Sequence, residues 1–203
     1  MKYLCLLAVL AFSAPLLGET AFRVPSSINE GERGEYIPPG SYEILGLSVA
    51  SSSVEAIMSK LGDSLIYDGG HTTQLICYAN GAHMVEFAIS SMGFGYEVTQ
   101  ADEPAENCSE TTEPMENGLG MRVGMSRSEL IKLLGEPGQA RENGVSYTYW
   151  VQQRPEQDVQ DALRAAHQIP ATQELWLDVY STISIGLEHD RVIQFSVFTT
   201  ETY

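Results

Sequence analysis

Between Val123 and Pro137 the chain reads VGMSRSELIKLLGEP. The Gly-Met-Ser-Arg-Ser run at its start has the residue types of a nucleophile turn or a phosphate loop. A serine nucleophile needs a base in reach and a site for the oxyanion, and a phosphate loop needs glycines leading into Lys-Ser or Lys-Thr. The chain contains no Gly-x-Ser-x-Gly elbow, no Walker-type Gly-Lys-Ser/Thr run and no His-Glu-x-x-His helix. Its four histidines, His71, His83, His167 and His189, sit near turns or in an insertion and lack ligand spacing. The acidic run DEPAENCSETTEPMENG holds Asp102, Glu103, Glu106, Glu110, Glu113 and Glu116 without the alternating ligands and central glycine of a calcium loop. No residue is assigned as catalytic, cofactor-binding or metal-ligating, and the expectation is a protein that is not an enzyme.

The same stretch reads better as architecture. Ser126 followed by Glu129 is a capping box, and Met125 before the cap with Leu130 after it has the spacing of a hydrophobic staple. Leu130, Ile131, Leu133 and Leu134 supply a buried face, Gly135 can end the helix in a left-handed conformation, and Pro137 prevents continuation. The spacing predicts a helix from Arg127 to Leu134.

Around it the chain divides into five segments. Residues 1–18 combine Lys2 with an apolar run from Tyr3 to Phe12 and small residues beyond, the pattern of a cleaved secretory signal. Residues 19–43 are a Pro-, Gly- and Ser-rich lead-in that ends near a small hairpin. Residues 44–101 form a first α+β unit. Val54, Ile57, Met58 and Leu61 fall at helical spacing with Gly62 as terminator, and QLICYANGAHMVEFAISS gives two alternating runs joined by Asn80-Gly81. A two-residue turn there pairs Ala79 with Ala82, Tyr78 with His83 and Cys77 with Met84, with Ile76, Val85, Phe87 and Ile89 toward the core. Residues 102–118 read as a solvated acidic linker with almost nothing to bury.

Residues 119–203 form a second α+β unit: helix, the strand VSYTYWV, an insertion, then ELWLDVYSTISIGLEHDRVIQFSVFTT as a long hairpin. In the insertion, Pro155 suits a first helical position and Val159, Ala162, Leu163 and Ala166 share one stripe, which predicts a short amphipathic helix lying over the sheet. Helix followed by antiparallel strands thus occurs twice, with Ile57 matching Leu130 and Leu61-Gly62 matching Leu134-Gly135. The fold class is α+β, a tandem repeat of a helical segment packed on antiparallel sheet.

Two cysteines follow the signal, Cys77 and Cys108, and an even pair in an exported chain predicts a disulfide. The formal net charge of -16 repels nucleic acid and anionic lipid, so neither is expected as a partner. No later apolar run reaches the ~20 residues of a membrane span, and the chain is expected in the periplasm or outside the cell.

GMSRSELIKLLGEP at 124–137, the Tyr147-Thr-Tyr149 strand and RVIQFSV at 191–197 together resemble the SmpA/OmlA (BamE-like) family, whose wider group includes the β-lactamase-inhibitor-protein fold. The resemblance spans about residues 119–198, and 44–100 by pattern alone. It implies a non-enzymatic envelope scaffold that binds another envelope or secreted protein through its sheet or loops. The chain differs from the outer-membrane assembly lipoproteins in lacking a lipobox and in having two units.

The alternation in the second unit places the partner site. Leu175, Leu177, Val179, Ile183, Ile185 and Leu187 share parity with Ile193, Phe195 and Val197, and an odd-length loop at His189-Asp190-Arg191 puts them on one face. The other face collects Trp150, Trp176, Asp178, Tyr180 and Phe198. Aromatics among short polar residues on a sheet face are binding anchors, so Trp150, Trp176, Tyr180 and Phe198 are the expected partner-binding residues. A hydrolase assembled from distant Ser, His and Glu residues, and a small-ligand or lipid carrier with an apolar cavity, are the alternatives.

Overall fold

The computed structural model describes residues 33–70, 73–90, 93–100 and 107–202. The expected signal at 1–18, most of the lead-in, His71 and the first acids of the linker lie outside the described residues. Along the chain come β1 (Arg33–Gly34), a 3-10 turn at Pro39–Tyr42, the hairpin of β2 (Glu43–Ile44) and β3 (Leu47–Ser48), and a second 3-10 turn at Val49–Ser51. Then follow α1 (Val54–Leu61), β4 (Ile66–Asp68), β5 (Gln74–Asn80), β6 (His83–Ser90) and β7 (Gly93–Gln100). After β8 (Ser109–Glu110) come α2 (Arg127–Leu134), β9 (Gln139–Arg141), β10 (Gly144–Gln153), α3 (Gln157–His167), β11 (Leu177–Glu188) and β12 (Arg191–Thr202).

The class is α+β, with three helices and a mixed ten-strand sheet among the described residues. Its order is β1-β10-β11-β12-β7-β6-β5-β4, with β9 on the β10 edge and β8 parallel to β5. The centre of the sheet is the antiparallel pair β12–β7, which sets Phe195 against Val98, Val197 against Tyr96 and Phe198 against Gly95. A Cβ on Gly95 would lie 2.4 Å from the Val197 carbonyl oxygen, and one on Gly93 would lie 2.3 Å from that of Thr199. Only glycine permits this approach.

One face of the sheet carries the core. Ile76, Tyr78, Val85, Phe87, Tyr96, Val98, Phe195, Val197, Ile183, Ile185, Val145 and Tyr147 are buried there beneath Val54 and Ile57 of α1 and Leu130 of α2. Each such large apolar side chain contributes roughly 1.5–3 kcal/mol on leaving water. The helices start and stop as their residues dictate. Ser53 accepts from the Ala56 amide, and Ser126 and Glu129 form both halves of the capping box. Met125 and Leu130 are both buried, as a staple requires. Gly62 and Gly135 follow the helices with φ of 96° and 82°. Tyr78 and Tyr147 then donate to the carbonyl oxygens of those two glycines, at 2.7 and 3.0 Å. Of the four apolar residues expected to bury in α2, only Leu130 is fully enclosed, because eight residues present one narrow stripe and Leu133 falls outside it.

The layer over the core is largely coil, and buried hydroxyls hold it. Tyr42 Oη lies 2.8 Å from Ser181 Oγ and 2.7 Å from Thr199 Oγ1, and those two hydroxyls are 2.8 Å apart. Tyr96 donates to the Ser41 carbonyl and accepts from Asn117 Nδ2, while Asn117 Oδ1 accepts from the amides of Leu119 and Met121. Within 107–118 the expectation of almost nothing to bury does not hold, since Met115 and Asn117 are buried. Asn117 satisfies backbone groups that water would otherwise have to reach.

Two registers differ in detail from expectation. In the β5–β6 hairpin the turn residues are Gly81 and Ala82, so Asn80 pairs with His83 and Cys77 with Glu86. Gly81 has φ of 61° while Ala82 is not left-handed, which is the pattern of a turn needing glycine at its first central position. The pairing moved by two residues, so the buried face kept its members. In β11–β12 the loop is the two-residue turn His189-Asp190, both left-handed, and a bulge beside Gly186/Leu187 supplies the odd residue. Val192 therefore pairs with Leu187 and is buried, and Ile193 is only half-buried. Arg127 fixes this turn, its Nε 2.8 Å from Asp190 Oδ1 and its amide donating to the Asp190 carbonyl.

In the insertion, α3 begins at Gln157 after Glu156 as N-cap, so Pro155 lies two residues before the first helical position it was expected to fill. It buries no residue fully. The expected disulfide is present, with Cys77 and Cys108 Cα atoms 4.6 Å apart. It holds β8 alongside β5.

We predict that Ser126→Ala lowers unfolding free energy by about 1 kcal/mol in urea denaturation; an unchanged midpoint would show that the cap contributes nothing. The Cys77→Ser/Cys108→Ser variant should lose about 3 to 4 kcal/mol, as closure of a loop of this length implies. A loss under 1 kcal/mol would mean that β8 is held by its backbone pairing alone.

Candidate binding face

The strand positions that alternate with the core form the second face of the sheet. Cross-strand register gives its rows: Trp150 opposite Tyr180 and then Thr200; Thr148, Thr182, Phe198, Gly95, Ala88 and Leu75; Ser146, Ser184, Ser196, Glu97 and Glu86. Tyr180 and Phe198 are 43% and 41% exposed, so neither α3 nor any other described element covers them.

The four expected residues share the neighbourhood but do not stack into one cluster. Trp150 stands directly across from Tyr180. Phe198 is diagonal to Tyr180, opposite Thr182, a separation of roughly 7–8 Å between backbones. No ring contact joins any two of the four among the described residues. Trp176 lies before β11, half-buried, with the Arg154 guanidinium 4.9 Å above its ring. It belongs to the rim.

Local chemistry holds each ring. The Trp150 indole donates to Asp178 Oδ1 at 3.2 Å, and Gln152 donates to the same oxygen at 3.2 Å. Phe198 lies over Gly95, whose missing side chain leaves space for the ring; a Cβ there would meet Phe198 Cδ2 at 2.4 Å. Both arrangements restrict rotamers before any partner arrives, which lowers the ordering cost of binding.

Beside Phe198 the register brings together two acids that the sequence reading did not single out. Glu86 and Glu97 are direct cross-strand partners on β6 and β7. Tyr67 donates its hydroxyl to Glu86 Oε2. Burial against the sheet, and secondly the charge on Glu86, push the Glu97 carboxyl above the usual range. Neither acid forms an ion pair among the described residues. The alternation of Glu86 with Val85 and Phe87, and of Glu97 with Tyr96 and Val98, already pointed both outward. Their facing each other depends on the β6–β7 register.

His71 lies outside the described residues, and His83 makes no hydrogen bond to a serine or carboxylate among those described. No group of three metal-ligating side chains occurs among them either. A hollow of about 390 Å³ beside the end of α1 is lined by Lys60, Leu61, Glu110, Thr111, Thr112 and Glu113, too polar for a lipid chain. No helix among the described residues is long and apolar enough to cross a membrane.

A carboxyl whose proton is held more tightly in the folded state stabilises the fold below the unfolded group's range and loses that contribution as pH rises through the folded value. Glu97→Gln should therefore be more stable than the parent at pH 7 by a few tenths of a kcal/mol at low salt, with the gap closing as pH falls through the carboxylate range. A gap of opposite sign, or one constant with pH, contradicts this electrostatic picture. No protein family, curated protein or solved structure matches the chain, so any function has to be argued from this face and its residues.

Proposed function

We propose that the chain is an exported, non-enzymatic protein-binding module of the cell envelope, periplasmic or secreted, which recognises another envelope or secreted protein through the outer face of its sheet. The observation that carries the reading is the exposure of Tyr180 and Phe198, 43% and 41%, on a sheet whose other face is filled by the core. Two large aromatics exposed on rigid strands, with Trp150 fixed beside them, have the composition of interface anchors. The pair Cys77–Cys108 is at home in an oxidising compartment, which favours export.

We further infer that the two halves are a tandem duplication of one helix-and-strands unit, as the SmpA/OmlA and β-lactamase-inhibitor-like resemblance implies. In each half a Ser-capped helix ends at a glycine of positive φ, a three-residue edge strand follows, and three long strands complete the unit. Tyr78 binds the Gly62 carbonyl in one half as Tyr147 binds that of Gly135 in the other. The third strands, β7 and β12, meet at the centre. Such a pairing of two units gives a sheet face wider than one unit could offer, and breadth is what a protein partner needs.

The test places a photo-crosslinking residue at position 180 or 198 in the full chain in its native cell, with position 133 as control, because Leu133 is also exposed but lies on α2. One discrete adduct is expected from 180 and 198 and none from 133. With that partner purified, Tyr180→Ala and Phe198→Ala are each expected to weaken binding at least about tenfold without lowering the melting temperature. Adducts from position 133 alone, or alanine variants that bind as tightly as the parent, would refute the assignment.

A further inference from the structure

Resting on that reading of the outer face, we propose that the partner protein presents an arginine whose guanidinium sits between Glu86 and Glu97 and against the exposed ring of Phe198. Like charges placed directly opposite on a sheet destabilise it, and here neither member of the pair forms an ion pair among the described residues. The sequence has only 11 lysines and arginines. Those that form ion pairs among the described residues, Arg122, Arg127 and Arg154, serve Glu116, Asp190 and Glu174 instead. The neighbouring positions in the same row, Ser196 and Ser184, and the flanking pair Thr182 and Phe198 are uncharged. Along these two rows the negative charge is therefore local to β6 and β7.

The aromatic neighbour narrows the chemistry. Ser196 stands opposite Glu97, and Phe198, two residues along β12, lies over Gly95, two residues back along β7. An acid pair and an aromatic face are thus adjacent on one surface. A planar guanidinium can donate to two carboxylates while its face rests on a ring, which the compact ammonium of lysine does less well. Tyr67 holds one end of the site, since its hydroxyl donates to Glu86 and leaves the other lone pairs of that carboxylate for a ligand. Complementary charge of this kind sets specificity and association rate, while the aromatics supply most of the affinity.

The probe is a synthetic strand-forming peptide with one arginine flanked by threonine and valine, titrated into the full soluble chain and followed by amide chemical shifts. Its isostere carries citrulline, which keeps the shape and loses the charge. The arginine peptide is expected to bind at least about tenfold more tightly than the citrulline peptide, with shifts centred on Glu86, Glu97 and Phe198. Glu86→Gln/Glu97→Gln should remove that preference, and so should 0.5 M salt. Equal binding of the two peptides, a preference that survives the double substitution, or shifts confined to 107–116 would overturn the proposal. If both peptides perturb Tyr180 and Phe198 equally, the face stands as a binding surface and the arginine assignment alone falls. If neither peptide binds and position 198 yields no photo-adduct, both readings fall.

Discussion

The pairing of β7 with β12 joins two sets of three long strands into one sheet, and both faces of the protein depend on it. On the inner side it sets Tyr96 and Val98 against Val197 and Phe195, so the core runs unbroken from α1 to α2. On the outer side it places Gly95 under Phe198 and Glu97 beside Ser196. The close approach tolerates no side chain at Gly93 or Gly95. The same two glycines that permit the pairing also flatten the outer surface there.

The apolar inner face of the sheet must be covered, and two helices of eight residues cannot cover it alone. Coil completes the layer, and coil over a core must satisfy its own backbone groups. Asn117 does so for the segment after β8, bound to Tyr96 and to the amides of Leu119 and Met121. At the other end Tyr42 ties its turn to the sheet through side chains, its hydroxyl reaching those of Ser181 and Thr199 across the β11–β12 pair. Burial pushes the hydroxyls of Tyr42 and Tyr96 up from their ordinary titration range, so both stay protonated as hydrogen-bond donors at neutral pH. The outer side is packed over at β5, where Cys77 and Ala79 are buried beside the disulfide, while Tyr180 and Phe198 farther along the sheet are exposed.

Local patterning made much of this legible from the chain alone. The capping box at Ser126, the stop at Gly135, the disulfide partners and the inward residues of β5, β6, β11 and β12 follow from short-range chemistry and strand parity. What stayed hidden is long-range. Nothing near Gly93 or Phe198 announces that β7 and β12 will meet, and so the opposition of Glu86 and Glu97 beside an aromatic ring was not visible. The hairpin turn moved by one residue because glycine was required at its first central position and Asn80 could remain in the strand. Asn117-Gly118 closed the segment that resembled linker by composition, yet the amide side chain of Asn117 organises a buried crossing. Trp176 shared the parity of the outer face but lies beyond the last strand pair, where Arg154 covers its ring.

If the outer sheet face is the working surface, a partner shields it in the cell. Hydroxyl-radical footprinting reads this, comparing the purified chain with the same chain in the cellular fraction where it resides. Tyr180 and Phe198 are expected to be oxidised readily in the purified protein and protected in the native fraction, while Leu133 on α2 is modified equally in both. Equal modification of Tyr180 and Phe198 in the two samples, or protection of Leu133 alone, would contradict it.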